Sequence, residues 1–406
     1  MTRPDPASLL PARAFPEAPD LAPDARVARF LEEYWRRRWL LLPGALNDLP
    51  ELLDGDELAG LACEWDADAR IVERCDGRFV QETGPFEPKR FEQLGERDWT
   101  LLVNGVDLML PGFEPLLAML RFVPDWRIDD IMASFAAPGG SVGPHFDRYD
   151  VFLVQLEGRR RWELGRQPDG PGREPCREHG LDLVADFVPD DVVYCEPGDV
   201  LYVPPTLVHH GIAETPCLTL SLGLRAPSTG DLVAAWSEFC VTQTATLPLE
   251  LDPPLPADPA RLAPETVSRA RSALREALLE DLDAADDDRM ATWLGCALTR
   301  PGRSASPADV PRPLAPAALT AELDNGAVLE RSPGTRLLSW EYDERRTLFA
   351  GGQAFVADDL TAAELAAFLN QHRIAAGSMT SAAARRLASE LYNAGWLFLD
   401  DSGDAS

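Results

Sequence analysis

Two short stretches of the sequence contain side chains that bind divalent metal ions. In the first, GGSVGPHFD, His145 and Asp147 stand two positions apart. Residues with this spacing in an extended chain point to the same side, so the imidazole and the carboxylate are predicted to face one point. The second stretch, GDVLYVPPTLVHHG, contains His209 and His210 just before its final glycine. Its glycine, prolines and apolar residues predict a turn, a strand and a loop ahead of these histidines.

In a β-barrel the second stretch can lie beside the first, and one of its histidines would complete a set of three ligands. Neighbouring residues on a strand point in opposite directions. We therefore expect one of His209 and His210 to be a ligand and the other not. Two histidines and one carboxylate leave adjacent positions open on a metal, as in non-haem Fe(II) oxygenases. The residues also allow a zinc or manganese cupin enzyme, and a barrel that binds no metal.

A basic segment between the two stretches, GRRRW, offers a partner for an anionic co-substrate. Alternation along a strand places Arg160 and Trp162 on one face, and Arg159 and Arg161 on the other. A guanidinium inside a barrel can hold a carboxylate through two parallel hydrogen bonds. We expect Arg160 to bind the co-substrate, unless all three arginines lie in solvent at the barrel edge. No catalytic set beyond the metal centre is predicted.

The elements that must position these residues are short strands. Up to residue 227 the sequence has runs such as DIMASFAAP, YDVFLVQLEG and CLTLSLGLRAP, bounded by Gly and Pro. Such runs, several of them rich in Val, Leu, Phe and Tyr, predict strands. Their density without intervening helices predicts a double-sheet β-barrel or jelly roll. Residues 1–227 are thus predicted to form the domain that holds the metal site.

After residue 227 the pattern becomes helical, so the predicted fold class is α+β. Residues 228–300 have apolar side chains three and four positions apart, which predicts amphipathic helices. The Pro-rich segment 301–317 predicts a semi-rigid, exposed linker. Residues 318–406 are predicted to form two strands, a helix that opens with a capping box at Thr361 and Glu364, a second helix and a final strand. This order is typical of a winged-helix-like module.

The charge of the chain bears on its partners. The segment from Ala318 onward has seven Arg and no Lys against thirteen Asp and Glu, which is a poor basis for a DNA-reading face. The whole chain of 406 residues has a net charge of −29. This charge disfavours nucleic acid and favours a basic protein partner, although acidity also simply confers solubility.

Cysteine usage and hydropathy indicate the compartment. Seven cysteines lie scattered without a CxxC pair, which indicates reduced thiols and no disulfide framework. The N-terminal residues have no apolar core of the kind a signal peptide needs. No window of the sequence is apolar enough to span a membrane. We expect a soluble, cytoplasmic protein without membrane contact.

The sequence resembles a known family at the residues described above. The matching stretches are SFAAPGGSVGPHFDRYDVFLVQLEGRRRWELG, GDVLYVPPTLVHHGIA and SLGLRAP. They resemble the JmjC-type ribosomal oxygenases, and within these the bacterial enzymes that hydroxylate an arginine of a large-subunit (50S) ribosomal protein. That family combines a JmjC cupin barrel (a double-stranded β-helix), a helical dimerisation region and a winged-helix-like domain, so the resemblance covers nearly the whole chain. It implies a homodimeric dioxygenase that uses Fe(II), 2-oxoglutarate and O2 on a basic ribosomal protein.

The resemblance also implies roles for single residues. It implies that His145, Asp147 and His209 bind the iron, because the family's second histidine falls four positions after the second proline of the Pro-Pro pair. It implies that Arg160 pairs with the carboxylate of 2-oxoglutarate. His210 stands where the bacterial relatives have an acidic residue. This difference bears on the substrate contacts expected at the mouth of the barrel, and not on the metal site.

Further residues are expected around the co-substrate and the substrate. Ser221 is expected to contact the co-substrate with Arg160, and Arg225 lies at the same end without an assigned contact. Tyr149 and Asp150 are expected to line the substrate groove. Asp150 either holds a substrate guanidinium or makes a structural hydrogen bond. A histidyl or other protein hydroxylase is the alternative within this class, and a dimeric non-catalytic scaffold is the alternative outside it.

Overall fold

The computed structural model describes residues 9–15, 20–46, 52–166, 176–178, 181–243, 264–302 and 307–400. The chain divides into two compact units, one spanning Met1–Ala226 with Gly302–Ser306 and the other Pro227–Pro301 with Pro307–Ser406. Part of the predicted helical region (244–263), part of the predicted linker (303–306) and the end of the predicted winged-helix-like domain (401–406) lie outside the described residues.

The first unit is built on antiparallel strands. In chain order they are β1 (Leu40–Leu42), β2 (Ala69–Cys75), β3 (Arg78–Thr83), β4 (Trp99–Val103), β5 (Ile128–Ala136), β6 (Asp150–Glu157), β7 (Arg160–Gly165), β8 (Cys176–Glu178), β9 (Leu181–Leu183), β10 (Asp191–Cys195), β11 (Val200–Val203), β12 (Val208–Ala213) and β13 (Cys217–Leu224). Eight strands form one sheet in the order β1-β11-β6-β13-β5-β4-β2-β3, three form a second in the order β10-β7-β12, and β8 pairs with β9. This is the double-sheet architecture that the sequence predicted.

Short helices cover the outer face of the eight-stranded sheet. They are α1 (Pro23–Arg29), which continues into one π-helical turn (Phe30–Tyr34), α2 (Gly55–Leu61), α3 (Pro88–Phe91), α4 (Val106–Met109) and α5 (Glu114–Met119). One core joins them to the sheet, where Phe30, Leu58 and Leu116 pack with outward-facing strand residues such as Phe152 and Leu220. The sheet is therefore buried on this side, and its other face is free to form the inside of the barrel.

A second, smaller core lies inside the barrel. Val151 and Leu153 of β6 pack there with Trp162 and Leu164 of β7 and with Leu201 of β11. These residues alternate with the outward-facing ones, as the two-residue period of a strand requires. The interior is thus apolar in its middle, and buried polar side chains such as Ser134, Gln155, Arg160 and Thr219 stand at particular positions along the strands.

The second unit combines helices and short strands. Its helices are α6 (Thr229–Gln243), α7 (Pro264–Ala284), α8 (Asp287–Thr299), α9 (Pro316–Asp324), α10 (Ala362–Asn370) and α11 (Ala382–Asn393). Its strands are β14 (Val328–Arg331), β15 (Leu337–Tyr342), β16 (Arg345–Ala350), β17 (Gln353–Val356), β18 (Arg373–Ile374) and β19 (Leu397–Asp400). They form two sheets, β18-β14-β19 and β15-β16-β17. The predicted helices of residues 228–300 are present as α6, α7 and α8.

The structure differs from the sequence prediction in two details of this unit. The second of the two strands predicted before the Thr361 helix, TLFAGGQAFVA, is the β16–β17 hairpin, because Gly351 and Gly352 both take positive φ angles at its turn. The predicted linker is exposed at most of its described residues, but it is not wholly free of contacts. Leu314 is buried, and its amide donates to the Asn393 side chain at 2.8 Å. Within the part of the chain that the structure describes, no helix is long and apolar enough to cross a membrane.

Candidate metal centre

His145 and His209 face each other across two adjacent chain segments. Their backbones exchange two hydrogen bonds, with the amide of His145 3.1 Å from the carbonyl of His209 and the amide of His209 2.8 Å from the carbonyl of His145. The amide of Thr206, in the Pro-Pro loop, also donates to the Asp147 carbonyl at 2.7 Å. The two stretches singled out in the sequence are therefore joined by backbone hydrogen bonds at the residues with metal-binding side chains.

The imidazole rings present their Nε2 atoms to a common point. Nδ1 of His145 lies 2.9 Å from the Gly143 carbonyl, and Nδ1 of His209 lies 3.2 Å from the Leu207 carbonyl. A carbonyl only accepts, so each Nδ1 carries the proton and each Nε2 keeps its lone pair for a metal. One ligand atom from each histidine and one from Asp147 all lie within 4.8 Å of one another. This spacing fits three ligands on one face of a single divalent ion.

The electrostatics of His209 favour a neutral ligand. Its ring is buried, and burial together with the neighbouring His145 lowers the pKa of His209 to about 4, although Asp147 opposes the shift. At neutral pH the ring therefore carries no proton on Nε2 to displace. Asp147 brings the negative charge, with Oδ2 3.7 Å from Nε2 of His209.

A tryptophan ring packs beside His209. Trp162 lies with its ring centroid 5.9 Å from that of His209. Gly211, opposite Trp162 in the β12–β7 pairing, makes room for this ring, because a Cβ at position 211 would lie 2.6 Å from the indole. The position therefore requires glycine for packing.

Arg160 lies inside the barrel, as the alternation of β7 predicted. Its side chain is buried, and Nη1 donates to the Ser134 hydroxyl at 3.3 Å. Nε of Arg160 is enclosed and has no hydrogen-bond partner among the described residues. A buried guanidinium nitrogen without a partner is costly unless an anion completes its hydrogen bonds. The arrangement fits a carboxylate ligand at this end of the barrel.

A neutral thiol lies across from this arginine. Cys195 pairs with Arg160 in the β10–β7 register. Burial raises the pKa of the Cys195 thiol to about 12, even though Arg160 opposes the shift. Cys195 therefore stays protonated and leaves the positive charge of Arg160 for a ligand. Ser221 is half-buried on β13, where it pairs with Met132 and Leu153.

His210 belongs to the opposite face of β12. Its Nδ1 lies 2.9 Å from a Glu163 carboxylate oxygen, and Arg161 pairs with the same carboxylate at 2.9 Å. Burial lowers the pKa of His210, while Glu163 opposes the shift. The structure thus separates the two histidines, with His209 inside the barrel and His210 hydrogen-bonded to Glu163 on the other face of β12.

The residues that follow Asp147 have different surroundings. Tyr149 is half-buried, and the Arg225 guanidinium lies 5.1 Å from the centre of its ring. Asp150 is fully buried. Its carboxylate accepts hydrogen bonds from the Tyr202 hydroxyl at 2.6 Å and from Arg127 at 2.8 Å. Of the two roles expected for Asp150, the structural hydrogen bond matches this position, and a contact with substrate does not.

Sequence reasoning missed three polar residues of β5. Ser134 contacts Arg160, Asp129 pairs with Arg225 at 2.7 Å, and Asp130 lies near Tyr149 and Arg225 and has its pKa raised by burial. The signal was present in DDIMASF, since Asp130 and Ser134 stand an even number of positions apart and so share a face of the strand.

Two family models match the chain. A JmjC domain matches residues 115–232, and a ROXA-like winged helix matches residues 277–398. The first match contains the three clustered side chains and Arg160. The second covers most of the second unit, so the β-barrel and the winged-helix fold predicted from the sequence are confirmed.

Curated proteins and solved structures agree with these matches. The chain is 35% identical over 311 residues to the ribosomal protein uL16 3-hydroxylase of Escherichia coli, covering 76% of this chain and 81% of that protein. It is 36% identical over 230 residues to a probable ribosomal oxygenase of Haemophilus influenzae, covering 56% of each. The X-ray structure of E. coli YcfD superposes with a TM-score of 0.76 at 32% identity, covering 92% of this chain and 98% of that one. The complex of YcfD with cobalt and 2-oxoglutarate has a TM-score of 0.73 at 31% identity, covering 92% and 98%.

Proposed function

The chain belongs to the JmjC ribosomal oxygenases, the family of the E. coli uL16 3-hydroxylase, and from this premise we propose that it hydroxylates an arginine side chain of a large-subunit ribosomal protein. It is an Fe(II)- and 2-oxoglutarate-dependent protein hydroxylase. When bound, Fe(II), 2-oxoglutarate and O2 supply the oxidising chemistry. The observation that carries the proposal is the convergence of three metal-binding side chains within 4.8 Å in the same barrel as a buried, incompletely bonded guanidinium.

We assign the metal to His145, Asp147 and His209, and the distal carboxylate of 2-oxoglutarate to Arg160. The backbone carbonyls behind both rings fix their tautomers, which pre-organises the lone pairs. The apolar interior around Trp162 and Leu153 excludes water from the bound co-substrate, and this strengthens its ion pair with Arg160. Ser221, on the interior face of β13, is assigned to the same co-substrate site.

The substrate side of the proposal rests on the charge at the barrel mouth. Tyr149 and Asp130 lie together next to Gly223, where a Cβ would be 3.6 Å from the tyrosine ring and 4.0 Å from the Asp130 carboxylate. An aromatic face and a carboxylate are the two groups that hold a guanidinium. The net charge of −29 would also attract a basic ribosomal protein.

The test is mass spectrometry of a ribosomal protein after reaction. The full chain, loaded with Fe(II) under anaerobic conditions, would receive 2-oxoglutarate, air and the uL16 protein purified from an unmodified source. We expect one added oxygen, located on an arginine by fragmentation, and succinate formed in equal amount. A uL16 variant with that arginine replaced by lysine is the control. An oxygen on histidine would place the enzyme elsewhere in its class, and no added oxygen on any ribosomal protein would refute the proposed substrate.

We propose further that the protein forms a homodimer through residues 228–300 and acts in the cytoplasm, where ribosomal proteins are available. Large apolar side chains of this region are exposed on the single chain: Val233, Val241, Val267, Leu274, Leu279, Leu282 and Leu294. Exposed apolar side chains in this number are stabilised in water when a partner covers them. Sedimentation at micromolar concentration should give twice the chain mass of 44.5 kDa, and a monomer would refute the dimer.

A further inference from the structure

Arg225 holds a defined position at the end of β13. Its Nε lies 2.7 Å from a carboxylate oxygen of Asp129, and its guanidinium carbon lies 5.1 Å from the centre of the Tyr149 ring. Both distances are those of direct contacts, an ion pair and a cation–π interaction, and the Arg225 guanidinium also hydrogen-bonds the Tyr149 hydroxyl. Arg225 thus connects β5 to the residue that follows the metal-binding HFD stretch by two positions.

The neighbours of Tyr149 make this contact important for the orientation of the ring. Gly223, two positions before Arg225, lies beside the ring but has no side chain to hold it. Even a Cβ at this position would make only a van der Waals contact with the ring. Asp130 has its carboxylate beside the same glycine. Among the contacts described for the Tyr149 ring, the contact with Arg225 is the one that fixes the orientation of the ring.

Several carboxylates lie close together around Arg225, since Asp129 and Asp130 both act on the pKa of Asp107. Asp129 is engaged by Arg225. Burial and the neighbouring Asp129 raise the pKa of Asp130, and the Arg225 guanidinium opposes that rise. Arg225 therefore occupies Asp129 and opposes the protonation of Asp130. Carboxylates that outnumber the neighbouring arginine suit an incoming guanidinium.

We propose that Arg225 is a positioning residue for the protein substrate: anchored by Asp129, it orients the Tyr149 ring at the mouth of the barrel. This inference rests on the proposed function, in which Tyr149 contacts the substrate arginine. In this role Arg225 acts through Tyr149 and not by contact with the reacting atoms. Its removal leaves the ring of Tyr149 free to turn and so weakens substrate binding more than it slows the reaction of bound substrate.

The test compares Arg225→Met with a matched control. Arg38 also pairs with a carboxylate, Glu33 at 2.9 Å, and lies over a tyrosine ring, Tyr34 at 4.2 Å. Its side chain is as exposed, at 55% against 54% for Arg225. Arg225→Met should raise the KM for the uL16 substrate by about fivefold, the range of a half-exposed cation–π contact, with a smaller change in kcat. The KM of Arg225→Lys should lie between those of the wild type and Arg225→Met, and Arg38→Met should leave KM unchanged.

A second measurement reads the contact without substrate. The chain has six tyrosines, so ring-labelled ¹³C tyrosine gives few NMR signals, and Tyr149→Phe assigns that of Tyr149. Arg225→Met should move this signal, and Arg38→Met should not. An unmoved signal would overturn the contact, and a moved signal with an unchanged KM would overturn the positioning role. If the wild-type protein hydroxylates no arginine while the signal still moves, the proposed substrate fails and the positioning role for it fails too, but the Arg225–Tyr149 contact stands.

Discussion

His145 and His209 form a backbone-paired couple, with amide–carbonyl distances of 3.1 and 2.8 Å and ring centroids 4.3 Å apart. Residues opposite each other in a hydrogen-bonded antiparallel pair project to the same side. The register of two chain segments, and not a flexible loop, therefore sets the distance between the two imidazoles. A shift of one residue would replace His209 by His210 on the inner face.

This register leads to the first prediction, which concerns the two adjacent histidines. His209→Ala removes a proposed iron ligand from inside the barrel, so we expect loss of Fe(II) binding and a fall of more than about 100-fold in 2-oxoglutarate turnover, on the order of a lost ligand. His210→Ala removes a partner of Glu163 outside the barrel, and turnover should fall by less than about tenfold. Anaerobic Fe(II) titration and succinate formation measure both effects. Equal losses in the two variants would contradict the assignment.

Arg160 gives the second prediction, with Arg161 as its control. Arg160→Gln keeps a polar side chain but loses the charge-assisted hydrogen bonds that we propose to 2-oxoglutarate, which would contribute about 2–3 kcal/mol. The KM for 2-oxoglutarate should therefore rise by about 30- to 100-fold. Arg161→Gln changes the neighbouring residue on the outer face, where it pairs with Glu163, and should leave that KM within a factor of about two. A rise of the KM for 2-oxoglutarate in both variants would indicate a general disturbance of β7 and contradict the assignment of Arg160.

The third prediction concerns the packing behind His209. Gly211→Ala would put a Cβ 2.6 Å from the Trp162 ring, so the indole must move towards His209 or the strands must separate. We expect a loss of about 1–3 kcal/mol in unfolding free energy and a weaker affinity for Fe(II). The control is Gly60→Ala in α2, where a Cβ would meet nothing within 4 Å. There the helix should gain a few tenths of a kcal/mol or more. A stable, metal-competent Gly211→Ala variant would show that Trp162 does not position His209.

Much of the site could be predicted because it depends on local alternation. His145, Asp147, Arg160 and Trp162 point as a two-residue strand period requires, and Pro and Gly mark where the strands end. The choice between His209 and His210 needed the family pattern, since alternation alone allows either register. The structure supplies the reason for the choice, the pairing of His145 with His209.

Contacts between distant segments could not be predicted from the sequence. Asp150 shares its strand with the interior residues, yet its carboxylate meets Tyr202 from β11 and Arg127 from the segment before β5. Asp129 and Arg225 come together only because β5 and β13 are neighbours in the sheet. A single sequence shows which residues lie on one face of a strand, and not which strands are adjacent.

Asp150 gives the fourth prediction, which separates a structural from a substrate-binding role. Asp150→Asn leaves the Arg127 guanidinium, itself nearly enclosed, facing a neutral amide. Breaking a buried ion pair in this way should cost about 3 kcal/mol of unfolding free energy and lower the melting temperature of the barrel unit. Exposed Asp24→Asn, in the first turn of α1, is the control and should change stability by less than about 1 kcal/mol. If Asp150→Asn raised the KM for uL16 at an unchanged melting temperature, Asp150 would be a substrate contact after all.

Glu364 in the second unit gives a prediction with a defined pH dependence. Its side chain is buried and accepts hydrogen bonds from the amides of Thr361 and Ser381, at 3.0 and 2.6 Å, and from the Thr380 hydroxyl at 2.9 Å. One carboxylate therefore caps the starts of both α10 and α11. Burial alone would raise its pKa, but these hydrogen bonds outweigh burial and lower the pKa of Glu364 to about 2.

Because the folded-state pKa lies below the ordinary value, the carboxylate stabilises the unit fully above pH 4.5, and the contribution is lost as the pH falls from there towards about 2. Glu364→Gln should therefore destabilise the winged-helix unit by about 2 kcal/mol at pH 7, the size of a charge-assisted hydrogen bond. The difference from wild type should shrink steadily below pH 4.5. Hydrogen exchange of the α10 and α11 amides measures this difference in stability. It is followed from about pH 7 to about pH 3, and each rate is compared with the intrinsic exchange rate at that pH. A difference that stays constant over this range would mean that the hydrogen bonds hold without the charge.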